Sequence, residues 1–117
     1  MIYLDYTANT PADPDVLDAY LAAERRYIAN PNSTHFAGQE ARAEMERVTQ
    51  SIAQHLGVQP AEIIYTSGAS EANNLALKGI AHASRHIGKH IISTQLEHSS
   101  VGASLSALQQ QGYEIDM

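Results

Sequence analysis

The 117 residues include no cysteine, so disulfides, cysteine-ligated metals and thiol chemistry are excluded within them. Basic residues are also scarce. Seven Lys and Arg stand against 13 Asp and Glu, giving a net charge of −6, and no segment gathers the basic residues into a stripe, so we expect no nucleic-acid partner. No apolar run is long enough for a signal peptide or a membrane span. These absences predict a soluble, cytoplasmic protein without a membrane partner.

The first 60 residues show two helical patterns. Asp13 is a good N-cap, and Pro14 suits the first helical position because its missing N–H would be unpaired there anyway. Apolar residues at helical spacing carry this helix to about Ile28. A second amphipathic helix begins near Phe36 and ends at Gly57, whose backbone freedom favours a left-handed C-cap. We therefore predict an amino-terminal helical segment over residues 1–60.

The remaining residues, 61–117, predict alternating strands and helices. A strand at 62–65 precedes a helix that begins at Ala69 and is closed by Gly88, and a second strand covers 90–94. Ser99 or Ser100 then caps a helix that Gly112 stops, and a third strand covers 113–117. Two successive βαβ units predict an α/β fold with a mainly parallel sheet. Because the sequence stops inside a strand, we expect it to be the front part of a longer protein.

The turn between the first of these strands and its helix resembles an anion-binding site. Gly68 allows close approach to the backbone, and the first N–H groups of a helix are unpaired and lie at the positive end of its dipole. The hydroxyl groups of Ser67 and Ser70 add donors beside those amides, which suits a phosphate. The alternative is that these residues only cap a helix and turn the chain.

Two other sequence patterns say less about function. His82 and His86 are spaced for one helix face, but Gly88 interrupts the helix before His90, and no carboxylate or thiol follows at ligand spacing. We predict a solvent-facing helix end, where imidazoles complement the dipole, and no metal. A dinucleotide-binding motif is also absent, since the three-glycine spacing is missing.

Four separated segments together match one family pattern. The segments are Tyr3-Leu4-Asp5 with Ala8, Thr10 and Pro11; Asn30-Pro31-Asn32-Ser33 with His35 and Gly38; Thr66 to Asn74; and Thr94 with Glu97-His98 and Val101. In order and spacing they resemble the amino-terminal part of the cysteine desulfurases, which are pyridoxal 5′-phosphate (PLP) enzymes of the class V aminotransferase group. The resemblance covers essentially the whole chain. It implies the amino-terminal part of a fold-type I PLP-dependent transferase, with residues 61–117 beginning the large PLP-binding domain.

The resemblance also implies a set of site residues. Ala69 and Ser70 correspond to positions that bind the cofactor phosphate through backbone N–H and hydroxyl groups. His98 corresponds to the histidine whose imidazole stacks on the pyridine ring and acts in catalysis. Considered alone, His98 would more simply assist the cap at Ser99. Asn73 is interpreted as a structural residue of the helix start, and the roles of Ser33 and His35 stay open.

The implied activity is removal of sulfur from L-cysteine, giving L-alanine and a protein persulfide for iron–sulfur cluster or thio-cofactor synthesis. Family members are homodimers, and sulfur-acceptor proteins are possible partners. The Schiff-base lysine does not match Lys78 or Lys89, and the catalytic cysteine is absent. We therefore predict that this chain alone is inactive and that its retention of PLP is doubtful. Asn9 replaces a usual threonine near the active site.

Two alternatives remain open. Another class V enzyme, such as a selenocysteine lyase or a small-amino-acid aminotransferase, would tolerate the change at Asn9. A non-catalytic fragment that only self-associates is the other, because an incomplete sheet leaves open edges.

Overall fold

The computed structural model describes residues 2–117. Within these residues, four α-helices and two short strands follow one another. They are α1 (Pro14–Arg26), α2 (Phe36–Leu56), α3 (Ala69–Ala83), β1 (His90–Ile92), α4 (Ser99–Gln109) and β2 (Glu114–Asp116), with a single 3₁₀ turn at Pro60–Glu62. The chain divides into two compact units, Met1–Ile63 and Ile64–Met117. The helices and the parallel sheet confirm the predicted α/β class.

Helix α1 starts as the sequence predicts. The Asp13 side chain accepts a hydrogen bond of 2.8 Å from the Asp15 N–H, and Pro14 occupies the first helical position. The helix ends at Arg26, slightly before the predicted Ile28, because Tyr27 leaves helical geometry at the C-cap. None of its residues is buried.

Helix α2 begins at Phe36 and is capped by Gly57 with a φ of 69°, both as predicted. Its amino-terminal end is held by His35, whose Nδ1 accepts a 3.3 Å hydrogen bond from the Gly38 N–H. Gly38 is buried, and a Cβ added there would lie 2.6 Å from the carbonyl oxygen of Ser33. The turn at residues 30–33 therefore packs directly against the first turn of α2.

The second unit contains one βαβ motif where two were predicted. Strands β1 and β2 are parallel, with Ile91 opposite Ile115, and α4 connects them. The predicted strand at 62–65 is wrong: Glu62 ends the 3₁₀ turn, and no described strand pairs with the residues that follow it. Extended backbone becomes a strand only through hydrogen bonds to a neighbour, which apolar composition cannot supply.

Helices α3 and α4 lie side by side and run in the same direction. Asn73 bonds to Ser100, while Ala81 and Leu108 share one buried cluster with Tyr113. In both pairs the α4 residue follows the α3 residue by the same number of sequence positions. The contacts therefore advance in the same direction along both helices, as they do between parallel helices. The Tyr113 hydroxyl donates a 2.7 Å hydrogen bond to the carbonyl of Ala81, which joins the end of α3 to the start of β2. The amino-terminal ends of both helices are consequently neighbours.

Among residues 2–117, no helix combines the length and the apolar composition needed to cross a membrane.

Candidate functional site

The predicted phosphate site lies at the start of α3. Gly68 is the N-cap with extended backbone, no side chain caps the helix, and the first bond along it runs from the Ala72 N–H to the Gly68 carbonyl at 3.1 Å. Within residues 2–117, the N–H groups of Ala69 and Ser70 donate to no protein acceptor. A Cβ built on Gly68 would meet nothing within 4 Å. The start of α3 therefore offers unpaired amides beside open space, which is what an anion requires.

Glu71 modifies this site in a way that the sequence analysis missed. Its Oε2 accepts hydrogen bonds of 2.7 Å from both the N–H and the hydroxyl of Ser67. These bonds, the backbone one first, lower the pKa of Glu71 from its ordinary value of 4.5. The Ser67 hydroxyl, predicted as a donor to phosphate, is thus engaged by a carboxylate. A glutamate three residues after the N-cap Gly68, where such side chains reach back to backbone N–H groups, was the available signal.

Asn74 forms a hydrogen bond within the same helical turn. Its Nδ2 donates a 2.8 Å hydrogen bond to the Ser70 carbonyl, one turn back along α3. The Ser70 hydroxyl makes no hydrogen bond to another described residue. Of the polar groups predicted for this site, the structure leaves the backbone of Ala69 and Ser70 and the Ser70 hydroxyl available.

His98 lies at the amino-terminal end of α4 and is its N-cap. Its Nδ1 lies 3.2 Å from the donating Ser100 N–H and 2.9 Å from the Ser100 Oγ. The predicted cap at Ser99 or Ser100 is therefore wrong, because an imidazole nitrogen can accept from the first turn as a serine oxygen does. The ring itself is exposed. Capping uses only one of its two nitrogens, so it leaves a ring face and Nε2 for another partner.

A groove of about 450 Å³ adjoins this region at the carboxyl end of β1. Ligands of open parallel sheets bind at this end of the strands. The Thr94 hydroxyl donates a 2.9 Å hydrogen bond to Glu97 beside it. The lining residues include Asn73, Leu77, Ile92, Thr94, Glu97 and Val101.

Other sequence candidates have local structural partners. His35 caps α2, and Ser33 lies against Gly38. His82 lies 2.8 Å from the Gln111 side-chain oxygen, and His90 lies 3.0 Å from an Asp116 carboxylate oxygen across the sheet. In the described part of the chain, no three metal-ligating side chains come together. The structure thus brings together Ala69, Ser70 and His98 at one end of a helix pair.

Comparison with known proteins places this chain in a family. The family model for aminotransferase class V matches residues 2–117. Human cysteine desulfurase is 47% identical over 115 residues, which cover 97% of this chain and 25% of that protein. The chain therefore spans about a quarter of the length of such curated relatives.

Solved structures agree with the sequence relatives. A NifS-like protein matches with a TM-score of 0.83 and 36% identity, over 93% of this chain and 30% of that one. A structure described as SspA in complex with cysteine matches with a TM-score of 0.82 and 34% identity, over 97% of this chain and 33% of that one. The fold is that of the amino-terminal part of a fold-type I PLP enzyme, as predicted. The chain belongs to the class V aminotransferase family.

Proposed function

We propose that this chain is the amino-terminal part of a PLP-dependent cysteine desulfurase and that it contributes the phosphate and ring contacts of the cofactor. The observation that carries the proposal is the parallel arrangement of α3 and α4. Their neighbouring amino-terminal ends hold the unpaired amides of Ala69 and Ser70 and the exposed imidazole of His98 on the same side of the unit.

The start of α3 fits a phosphate in charge and in space. A helix N-terminus carries roughly half a positive charge, and each unpaired N–H can donate to a phosphate oxygen. Ala69 and Ser70 supply two such amides, and the Ser70 hydroxyl adds a third donor. Gly68 adds no side chain that would fill the space beside them. The Glu71 carboxylate opposes an anion, but it is turned back onto Ser67.

His98 fits the cofactor ring. PLP, when bound, withdraws electrons from the substrate carbon, and the protein positions the ring and moves the protons. An exposed imidazole that is anchored at one nitrogen presents a fixed flat face for stacking. Its second nitrogen is then free to hold or transfer a proton beside the substrate.

The proposed substrate is L-cysteine. Support comes from the curated relatives named cysteine desulfurase and from the similar structure described in complex with cysteine. The proposed reaction breaks the carbon–sulfur bond, leaves L-alanine and passes the sulfur to a cysteine thiolate. The resulting persulfide would serve iron–sulfur cluster or thio-cofactor synthesis through acceptor proteins. Because these 117 residues hold no cysteine, the acceptor thiolate must come from elsewhere.

A direct experiment follows for the isolated chain. After incubation with PLP and desalting, we expect no retained absorbance of protein-bound cofactor, because Lys78 and Lys89 do not match the Schiff-base position. With PLP, L-cysteine and a reductant, we expect no sulfide above a control without protein. Cysteine-dependent sulfide release by the pure chain would contradict this part of the proposal.

The proposal also includes a homodimer. Helix α1 exposes four apolar side chains along one face, each with 47% or more of its surface accessible: Val16, Leu17, Tyr20 and Leu21. Exposed apolar residues that line up on one face of a helix are typical of a surface that another chain covers.

A further inference from the structure

Three polar side chains form a hydrogen-bonded network that links α3, which begins at the proposed phosphate site, to His98, which is proposed to stack on the cofactor ring. Asn73, on α3, donates from Nδ2 to the Ser100 Oγ at 2.9 Å. The same Ser100 Oγ lies 2.9 Å from His98 Nδ1. Asn73 is half-buried, Ser100 is only 9% exposed, and His98 is exposed. A partly buried network of this kind ends at a ring that faces solvent.

The directions of these hydrogen bonds can be derived from the one donor that cannot reverse. The Ser100 backbone N–H points at His98 Nδ1 across 3.2 Å, and an amide N–H is always a donor. This N–H favours the tautomer in which Nδ1 carries no hydrogen. The Ser100 hydroxyl, which also faces Nδ1, then donates to it as well. Its oxygen is left with lone pairs only, and these match the NH₂ group of Asn73.

We infer that Asn73 and Ser100 are positioning residues that hold His98 in the tautomer with hydrogen on Nε2 and leave Nε2 as its only working nitrogen. Applied to the cofactor, the inference rests on the proposed function. Nδ1 is occupied by two donors, whereas Nε2 has no hydrogen-bond partner within residues 2–117. Any proton that His98 gives or takes beside the ring therefore passes through Nε2.

The network also couples the two parts of the proposed site. Asn73 lies one turn after the unpaired amides of Ala69 and Ser70, and Ser100 lies in the first turn of α4. A shift of α3 on phosphate binding would act on the Ser100 hydroxyl and thus on the orientation of the imidazole. Ser104 strengthens the fixed end, since its buried hydroxyl donates to the Ser100 carbonyl at 2.9 Å.

The test is the tautomer of His98, measured by ¹⁵N NMR on the full chain in mildly alkaline buffer without cofactor. The nitrogen that lacks hydrogen is identified by its distinct chemical shift. We expect Nδ1 to be that nitrogen in the unmodified protein. The Asn73→Asp variant has nearly the same shape but accepts where Asn73 donates, so it draws the Ser100 hydroxyl hydrogen away from His98. We expect it to shift the population toward hydrogen on Nδ1.

Two further variants serve as controls. Asn74→Asp places the same new charge one residue along, on a side chain that bonds within its own helix, and should leave the His98 tautomer unchanged. Ser100→Thr keeps the hydroxyl and should preserve the unmodified spectrum. If Asn73→Asp fails to fold, Ser100→Ala provides the same test: it removes one of the two donors to Nδ1 and should likewise increase the tautomer with hydrogen on Nδ1.

The outcomes separate this inference from the proposed function. Hydrogen on Nδ1 in the unmodified protein, or the same tautomer in every folded variant, would overturn the positioning role even if the chain binds the cofactor. The predicted tautomer shifts support the positioning role whether or not the cofactor binds, because the measurement contains no cofactor. Absence of cofactor binding would instead count against the proposed function.

Discussion

Individual polar side chains determine which atoms at the two helix starts remain available to a ligand. Glu71 accepts hydrogen bonds from both donors of Ser67, so an anion at the start of α3 must be bound by the donors of Ala69 and Ser70. At α4, His98 uses Nδ1 as a cap and keeps Nε2 open. The residue types at these positions were readable from the sequence. The hydrogen-bond partner of each side chain could not be predicted from the sequence, because it depends on rotamers and on neighbours such as Asn73.

The Glu71 contact predicts a specific pH dependence of stability. The Ser67 hydrogen bonds favour the charged carboxylate and lower its pKa in the folded protein, so their stabilisation is fully present above the ordinary value of 4.5. It is lost as the pH falls through the lowered folded pKa. In Glu71→Gln this acid-dependent loss should be smaller, as measured by thermal unfolding across an acidic pH series.

The control for that experiment is Glu46→Gln on α2. Glu46 is also exposed, but no hydrogen bond joins its carboxylate to another described residue. The control should keep the acid dependence of the unmodified protein. If Glu71→Gln follows the same curve as the unmodified protein, the Ser67 contact does not stabilise the charged form.

At the scale of elements, the helices and two of the three strands were predictable, since β1 and β2 lie within the predicted strands at 90–94 and 113–117. The starts of α1 and α2 follow from Asp13, Pro14 and the spacing of apolar residues, and the end of α2 follows from Gly57, since all these signals are local. The predicted strand at 62–65 failed because strand formation depends on a partner that local sequence does not contain.

Gly38 provides a test of how α2 is held. An added Cβ would lie 2.6 Å from the Ser33 carbonyl oxygen and 2.8 Å from that of Asn30. Backbone atoms move less readily than side-chain ends, so Gly38→Ala should destabilise the first unit by about 1–3 kcal/mol, as overpacking typically does. Urea unfolding, followed by circular dichroism, measures the loss.

Gly102, in the first turn of α4, is the matched control. A Cβ built there meets nothing within 4 Å. Gly102→Ala should leave stability unchanged or raise it by up to about 1 kcal/mol, because alanine loses less backbone entropy in a helix. Equal effects of the two substitutions would show that the turn at residues 30–33 does not confine Gly38.

For the whole molecule, the family match covers residues 2–117, while the chain covers only about a quarter of human cysteine desulfurase. Much apolar surface is correspondingly exposed, including the face of α1 and the outer residue Ile92 of β1, which is 77% accessible. Four motifs in register were enough to predict the family. Local sequence patterns do not predict what, if anything, covers these residues.

We expect the isolated chain to self-associate through apolar surface that includes α1. Light scattering should give a mass above the 12.7 kDa of one chain. Replacing Leu17 and Leu21 with glutamate should shift the mass toward the monomer. The control places glutamate at Ala19 and Ala22, which lie on the opposite side of the helix at 3.6 residues per turn, and should not. A monomeric unmodified chain would contradict this expectation.

The most direct test of the central claim is an NMR titration of the backbone amides with pyridoxine 5′-phosphate, using pyridoxine as the matched ligand without phosphate. Neither compound carries an aldehyde, so neither reacts with Lys78 or Lys89. If the start of α3 binds the cofactor phosphate, the phosphorylated ligand should shift the N–H signals of Ala69 and Ser70, and pyridoxine should leave them in place. Unshifted signals at both residues, or equal shifts with the two ligands, would contradict a cofactor phosphate site at the start of α3.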